Sequence, residues 1–258
     1  MATADVAYDT LAEVYEWLVP EPLLTAEGAA DAFAGVVGHL PAGGRVLDCS
    51  AGTGQLAVGL ALQGFDAVAS DASPAMVERT RALAAERRVD LPAVTCDWAA
   101  LGQQGWRESF DAVFCVGNSI AHAGPTGLRR AALCAMAGVL RDGGVLALTS
   151  RNWDMIRAQG PGLRVADRLT RRADRKGLVL YSWELSDSAE RPHYVDVAVA
   201  LVADDDRVTT HRERLEYWPF GHDELVADLH AVGLALQSTT YTDDVERYLV
   251  IARRPADG

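Results

Sequence analysis

In the run Val46-Leu47-Asp48-Cys49-Ser50-Ala51-Gly52-Thr53-Gly54-Gln55, an acid, two hydroxyls and two glycines fall within seven positions. Glycines spaced this way let a chain turn tightly and bring bare backbone close to a ligand. An apolar strand-like run precedes the turn and a helix-like run follows it, the context that separates a ligand-binding loop from a chance Gly-x-Gly. A second strand-like run ends at Asp71, 17 residues beyond Gly54. A carboxylate placed there accepts hydrogen bonds from both hydroxyls of a ribose. The plainer reading is an ordinary strand-to-helix turn, with Asp71 capping the helix that opens at Ser73-Pro74.

The loop does not suit a phosphate. No Gly-Lys-Ser/Thr follows it, Ala57 stands where Gly-x-Gly-x-x-Gly would have its third glycine, and no row of basic residues is present for a pyrophosphate. A ligand with one adenosine and no phosphate fits better. S-adenosylmethionine is such a ligand, and its positive charge matches the acidic Asp48, expected near the amino acid portion.

The flanking pattern supplies the elements that would position this turn. Helices are expected at 25–39, 55–63, 74–88, 126–140 and 222–232, with Thr25 as an N-cap and Gly64 as a C-cap. Strands are expected at 45–49, 66–70, 93–96, 111–116, 145–149, 234–241 and 247–253, with a turn at Asp142-Gly143-Gly144. Strand and helix in alternation imply an α/β fold: a Rossmann-like, doubly wound, mostly parallel sheet of about seven strands. After residue 157 the pattern changes to strand-like runs at 163–170, 178–186, 194–202 and 207–217, with Asp204-Asp205-Asp206 as a hairpin turn. The chain therefore reads as a single domain over 1–258, carrying an antiparallel insertion at 157–217 that covers a site.

Composition narrows the function. The 258 residues carry 24 Lys+Arg against 36 Asp+Glu, a formal net charge of -12. That balance argues against nucleic-acid binding and against docking on anionic lipid. No run approaches a membrane span, the N-terminus MATADVAYDT does not read as a signal peptide, and the six histidines show no zinc spacing. Cys49, Cys96, Cys115 and Cys134 are scattered, as expected of reduced core thiols in a cytoplasmic protein. Residues 151–176 are locally basic, either a solvated surface or an entrance attracting anions.

The turn VLDCSAGTG followed by GFDAVASDASPAMV resembles class I S-adenosylmethionine-dependent methyltransferases. Three further stretches, Val116-Gly117-Asn118-Ser119-Ile120-Ala121-His122, Ser150-Arg151-Asn152-Trp153-Asp154-Met155-Ile156 and Arg214-Leu215-Glu216-Tyr217-Trp218-Pro219, resemble the glycine/sarcosine N-methyltransferases within that class. The resemblance runs in order over about residues 40–255, and 163–213 match poorly.

The resemblance implies that Asp48, Ser50, Gly52, Gly54, Asp71, Ala72 and Met76 bind the donor. Asp97 and Trp98 would flank the adenine, with Asp97 standing where the family usually has a neutral amide, and Val116 and His122 would border the donor. Asn118, Arg151 and Tyr217 match positions that hold an acceptor's carboxylate. A guanidinium grips a carboxylate through two parallel bonds. Each residue also has a plainer reading: a turn-forming Asn118, a surface Arg151 at a helix start, a core Tyr217. His122 is either a proton acceptor or a wall of the pocket. The segment 1–24 resembles a lid in which Tyr8 or Tyr15 faces the methyl sulfonium; a packing helix is the other reading.

The function implied is methyl transfer from S-adenosylmethionine, giving S-adenosyl-L-homocysteine, to the amine of a small carboxylate-bearing acceptor, without a metal. An O- or C-methyltransferase using Trp153, Trp183 and Trp218 around a ring-containing acceptor is the alternative. A non-catalytic donor-binding protein is a more distant one. A monomer and a homo-oligomer are equally compatible with the sequence.

Overall fold

The computed structural model describes residues 4–165, 169–172, 175–188, 191–205 and 207–256. Apolar strands form a central sheet in the order β11-β12-β5-β4-β1-β2-β3, where β1 is Arg45–Asp48, β2 Asp66–Asp71, β3 Ala93–Thr95, β4 Phe110–Cys115, β5 Leu140–Arg151, β11 Ala235–Thr239 and β12 Arg247–Arg253. The pairs β1–β2, β2–β3, β1–β4 and β4–β5 are parallel, while β12 runs antiparallel to β5 and to β11. Every residue of β4 is buried, as a central strand covered on both faces requires. Strand order reverses between β1 and β4, so the loops leaving these two strands diverge and open a crevice at their carboxyl ends.

The connecting helices are α1 (Ala4–Leu11), α2 (Ala26–Asp31), α3 (Ala34–Val37), α4 (Gln55–Leu62), α5 (Pro74–Arg87), α6 (Thr126–Val139), α7 (Trp153–Gln159) and α8 (His222–Ala231). Thr25 caps α2 as expected, its Oγ1 accepting the Gly28 N–H at 3.1 Å. The single helix expected over 25–39 is instead two short ones. The chain leaves helical geometry at Phe33, at φ -112 and ψ 15, which sets that ring edge-on against Phe114. The turn expected at 142–144 lies inside the long strand β5. There Gly143 takes φ 73, and the register with β4 shifts between Phe110 and Ala112.

A second, wholly antiparallel sheet stands beside the first: β6 (Gly162–Val165), β8 (Arg175–Glu184), β9 (His193–Val202) and β10 (Val208–Tyr217), with β7 (Thr170–Arg172) paired to β8. The burial of β9 alternates strictly, its Val195, Val197, Val199 and Leu201 facing the core. The sequence expectations at 166–168 and at Asp206 lie outside the described residues. Cys49, Cys96 and Cys115 are buried, but Cys134 is exposed on α6, so the expectation of four core thiols fails there; the helix turns that position outward.

The N-terminal segment binds both sheets. Trp17 lies flat on Gly177 of β8, where any Cβ would meet its ring at 2.5 Å. Asp9 accepts hydrogen bonds from the Ser73 hydroxyl and, at 3.2 Å, from the Ala75 N–H at the start of α5. The segment thus crosses the mouth of the crevice.

Candidate active site

The glycine turn folds as its residue types require. Gly52 and Gly54 stand at φ 54 and φ 90, left-handed backbone that side chains with a Cβ rarely adopt. At Gly54 an added Cβ would also lie 2.9 Å from the Thr80 backbone, so only glycine lets α5 approach this closely. Asp71 holds the turn from across β2: its Oδ2 accepts the Gly52 N–H at 2.8 Å and its Oδ1 the Ser73 N–H at 3.0 Å. Both carboxylate oxygens thus accept backbone N–H groups around the turn, which fixes the orientation of Asp71 and leaves each oxygen able to accept a further bond. Ser73, with its Oγ accepting the Met76 N–H at 3.1 Å, is the cap of α5. Met76 itself is buried beneath the turn, and Ala72 is half-buried beside it.

Asp48 is 1% exposed and receives one long hydrogen bond, 3.3 Å from the Ser50 N–H. Burial, opposed by that bond and reinforced by nearby Asp71, pushes its carboxyl up to about 7. Such a group favours a cation placed beside it. Ser50 ties the two diverging strands together, its Oγ accepting the Val116 N–H at 2.9 Å and lying 3.2 Å from the Val116 carbonyl. The Trp98 indole N–H donates to the Cys49 carbonyl at 2.8 Å, fixing its ring against the turn. Asp97 Oδ1 accepts the Ala100 N–H at 2.9 Å, so this side chain caps the 3-10 helix Trp98–Gln104 that follows it.

On the other side of the crevice a ring cluster forms. His122 Nδ1 lies 2.7 Å from the Glu216 carbonyl, which can only accept, so Nδ1 carries the proton. Nε2 is then bare and accepts the Tyr8 hydroxyl at 2.9 Å. Burial lowers the His122 pKa to about 4, so the ring is neutral with both nitrogens engaged. That arrangement suits a wall of the pocket rather than a proton acceptor. Tyr217 lies beneath the imidazole with centroids 4.3 Å apart, and Tyr8 meets it edge-on at 5.4 Å. Tyr15 sits over the glycine turn, its Cε1 3.6 Å from where a Gly52 Cβ would be. Burial raises the pKa of Tyr8, Tyr15 and Tyr217, keeping all three phenols neutral. Trp153 and Trp183 are 1% and 5% exposed and pack behind Tyr217, so they brace the site without lining a ring-sized void.

Asn118 has φ 70 and is 2% exposed. Its Oδ1 accepts the Arg151 N–H at 2.9 Å, which fixes the amide orientation, and its buried Nδ2 has no partner. A buried donor without a partner costs roughly 1–3 kcal/mol, and a ligand offering an acceptor would remove that cost. The Arg151 side chain, 15% exposed, reaches Glu246 at 3.1 Å and lies 5.7 Å from the centroid of Trp183. Two residues missed by the motif reading, Tyr181 of β8 and Arg247 of β12, stand within electrostatic reach of this cluster. Neither belongs to a motif; only their cross-strand neighbours bring them here. Among the described residues no group of His, Cys, Asp and Glu could hold a metal ion, and no helix is long and apolar enough to cross a membrane.

Comparison with known proteins agrees with this geometry. Residues 46–144 match a family described as a methyltransferase domain. A glycine/sarcosine N-methyltransferase of Parasynechococcus marenigrum is 39% identical over 119 residues, 46% of this chain and 42% of that protein. Another, from Aphanothece halophytica, is 29% identical over 219 residues, 81% of this chain and 76% of that protein. The match thus spans less than half of the first relative's length and about three quarters of the second's. Among solved structures, an amino pentose methyltransferase of Micromonospora echinaspora with S-adenosylmethionine bound superposes with a TM-score of 0.68 at 20% identity, covering 94% of this chain and 95% of that one. The match to a methyltransferase domain is thus confined to residues 46–144, and the fold is the Rossmann-like one of the superposed structure.

Proposed function

We propose that this protein is an S-adenosylmethionine-dependent methyltransferase whose acceptor is a small amine bearing a carboxylate, of the size of glycine or sarcosine or a somewhat larger amino acid. The observation that carries the reading is the buried, unpartnered Nδ2 of Asn118, whose Oδ1 is held by the backbone N–H of Arg151. Together they offer a neutral donor and a cation to one acid group, and the names of the relatives fit an amine acceptor.

The turn fits the donor. The left-handed glycines leave bare backbone under Tyr15, Asp71 fixed on that turn would hold a ribose, and buried Asp48 would be the counter-charge of a cationic amino acid portion. Trp98, fixed on the Cys49 carbonyl, and Asp97 would flank the adenine, with Val116, bonded to Ser50, bordering the donor.

When bound, the donor supplies a methyl carbon activated by a positive sulfur: the lone pair of a neutral amine attacks that carbon in line, the N–C bond forms as the S–C bond breaks, the neutral thioether S-adenosylhomocysteine leaves, and the new ammonium passes its proton to water. The chain therefore has to align and to exclude water. Alignment of this kind contributes about 7–11 kcal/mol to lowering a barrier. Arg151 and Asn118 anchor the acid end of the acceptor, and the rings of Tyr8, Tyr15, His122 and Tyr217 close over the other. A phenol acceptor would need a base. His122 is neutral and hydrogen-bonded at both nitrogens, whereas a neutral amine requires none.

Methyl transfer to glycine, sarcosine and a panel of other amino acids tests the reading. Turnover of at least one is expected. In Arg151→Ala, loss of a charge-assisted pair worth about 1.5–3 kcal/mol should weaken acceptor use by about 10- to 100-fold. A wild-type protein that methylates no amino acid contradicts the acceptor assignment.

A further inference from the structure

Arg247 opens β12 and is the direct register partner of Arg151, the last residue of β5. Residues opposed in an antiparallel pair project from the same face, so two guanidiniums stand side by side, a like-charge arrangement that destabilises a sheet unless something compensates it. Arg151 pairs with Glu246, whose side chain is 67% exposed at the rim. No ion pair to Arg247 is formed among the described residues, although Glu246 acts on it from a distance. Arg247 is open to solvent along the crevice, yet protein crowds its guanidinium closely enough, together with Arg151, to lower its pKa. Its charge also acts on Tyr15, Tyr181 and Tyr217, so it stands within electrostatic reach of the ring cluster.

Arg151 has a protein carboxylate and Arg247 has none among the described residues, and Arg164, 5.4 Å from the centroid of the same Trp183 ring, adds a further positive charge, so this corner favours an anion. The orphaned Nδ2 of Asn118 belongs to a side chain fixed through the Arg151 backbone from the opposite edge of β5, the one that β4 flanks. We propose that Arg247 is a specificity-determining residue: it and Arg151 clamp the acceptor's single acid group between them, with Arg247 as the member not already held by a protein carboxylate. The inference rests on the acid-bearing acceptor proposed above. It adds that the acid group is reached from β12 as well as from β5, so an amine without an acid group lacks the contact that holds it.

Acetate is a suitable probe because it carries the acid group without the amine. Protein saturated with S-adenosylhomocysteine is titrated with sodium acetate at constant ionic strength, following tryptophan fluorescence, to which Trp183 beside Arg151 contributes. Saturable binding is expected in the wild type, weaker by at least tenfold in Arg247→Met and by a smaller factor in Arg247→Lys, which keeps the charge but not the fork. Calorimetry with S-adenosylhomocysteine checks that each variant is folded, and its Kd should stay within twofold of the wild type. In turnover, Arg247→Met should raise KM for an amino acid at least tenfold with kcat little changed. Acetate binding that is absent in the wild type, or equal in the wild type and both variants, overturns the role of Arg247. Failure of every amino acid to be methylated, with Arg247-dependent acetate binding intact, contradicts the acceptor reading alone.

Discussion

The two sides of the crevice are built on different principles. The donor side is made largely of backbone: a turn between β1 and α4, strapped by Asp71 to β2 and by the Thr80 hydroxyl, which donates to the Gly52 carbonyl at 2.9 Å. Its parts lie within a short stretch of chain. The acceptor side is made of side chains from α1, the loop after β4, β5, β10 and β12, brought together only when both sheets and the N-terminal segment are in place. A backbone site tolerates changes of most side chains but no change of its glycines. A side-chain site can change its acceptor while keeping the fold.

The largest effect that would sharpen this contrast is at the turn. In Gly54→Ala, the residue must hold φ 90 with a Cβ 2.9 Å from Thr80. Strain and overpacking should cost about 1–3 kcal/mol in stability and weaken donor binding together. Denaturant unfolding and calorimetry read the two, and an unchanged pair would break the claim that this side depends on bare backbone.

A smaller effect concerns pH. Burial raises the Asp48 pKa to about 7 in the free protein. If the ionised form holds the donor's cation, affinity should fall as pH drops below 7, approaching tenfold per pH unit, and Asp48→Asn should remove that slope. The sign for stability is the reverse. The folded pKa lies above the unfolded one, so this group stabilises the fold fully below its unfolded value near 4 and loses that contribution as pH rises through 7. His122, with a folded pKa near 4, does the opposite, contributing stability above its unfolded value near 6.5 that is lost as pH falls through 4. Donor affinity measured from pH 5.5 to 8.5 isolates the Asp48 contribution.

The smallest effect is Tyr8→Phe. It removes the hydroxyl that joins the N-terminal segment to His122 and should cost about 1 kcal/mol of stability, with donor affinity changed little. A large loss of donor binding would mean that the two sides are not separable.

How much of this was legible in the sequence follows the same division. The donor turn, Asp71 and the parallel strands around them could be read because their spacing is local and each glycine has a backbone reason. Asn118 and Arg151 were legible through their motifs, but the unpartnered Nδ2 and the hydrogen bond to the Arg151 N–H depend on how β4 meets β5. Arg247 was not legible, since nothing near it in the chain reports that β12 pairs with β5 in the register opposing Arg151. Helical spacing over 25–39 concealed the break at Phe33, which tertiary packing against Phe114 imposes. Trp153 and Trp183 looked like pocket material by type, and burial made them the packing behind it.

The central claim, that a glycine turn and a facing carboxylate hold an adenosyl donor, is tested most directly by calorimetric titration of S-adenosylhomocysteine into the wild type and Asp71→Ala. The account predicts saturable one-to-one binding by the wild type, weakened at least tenfold by the substitution. Absence of heat with the wild type, or equal affinity in the two proteins, would contradict it.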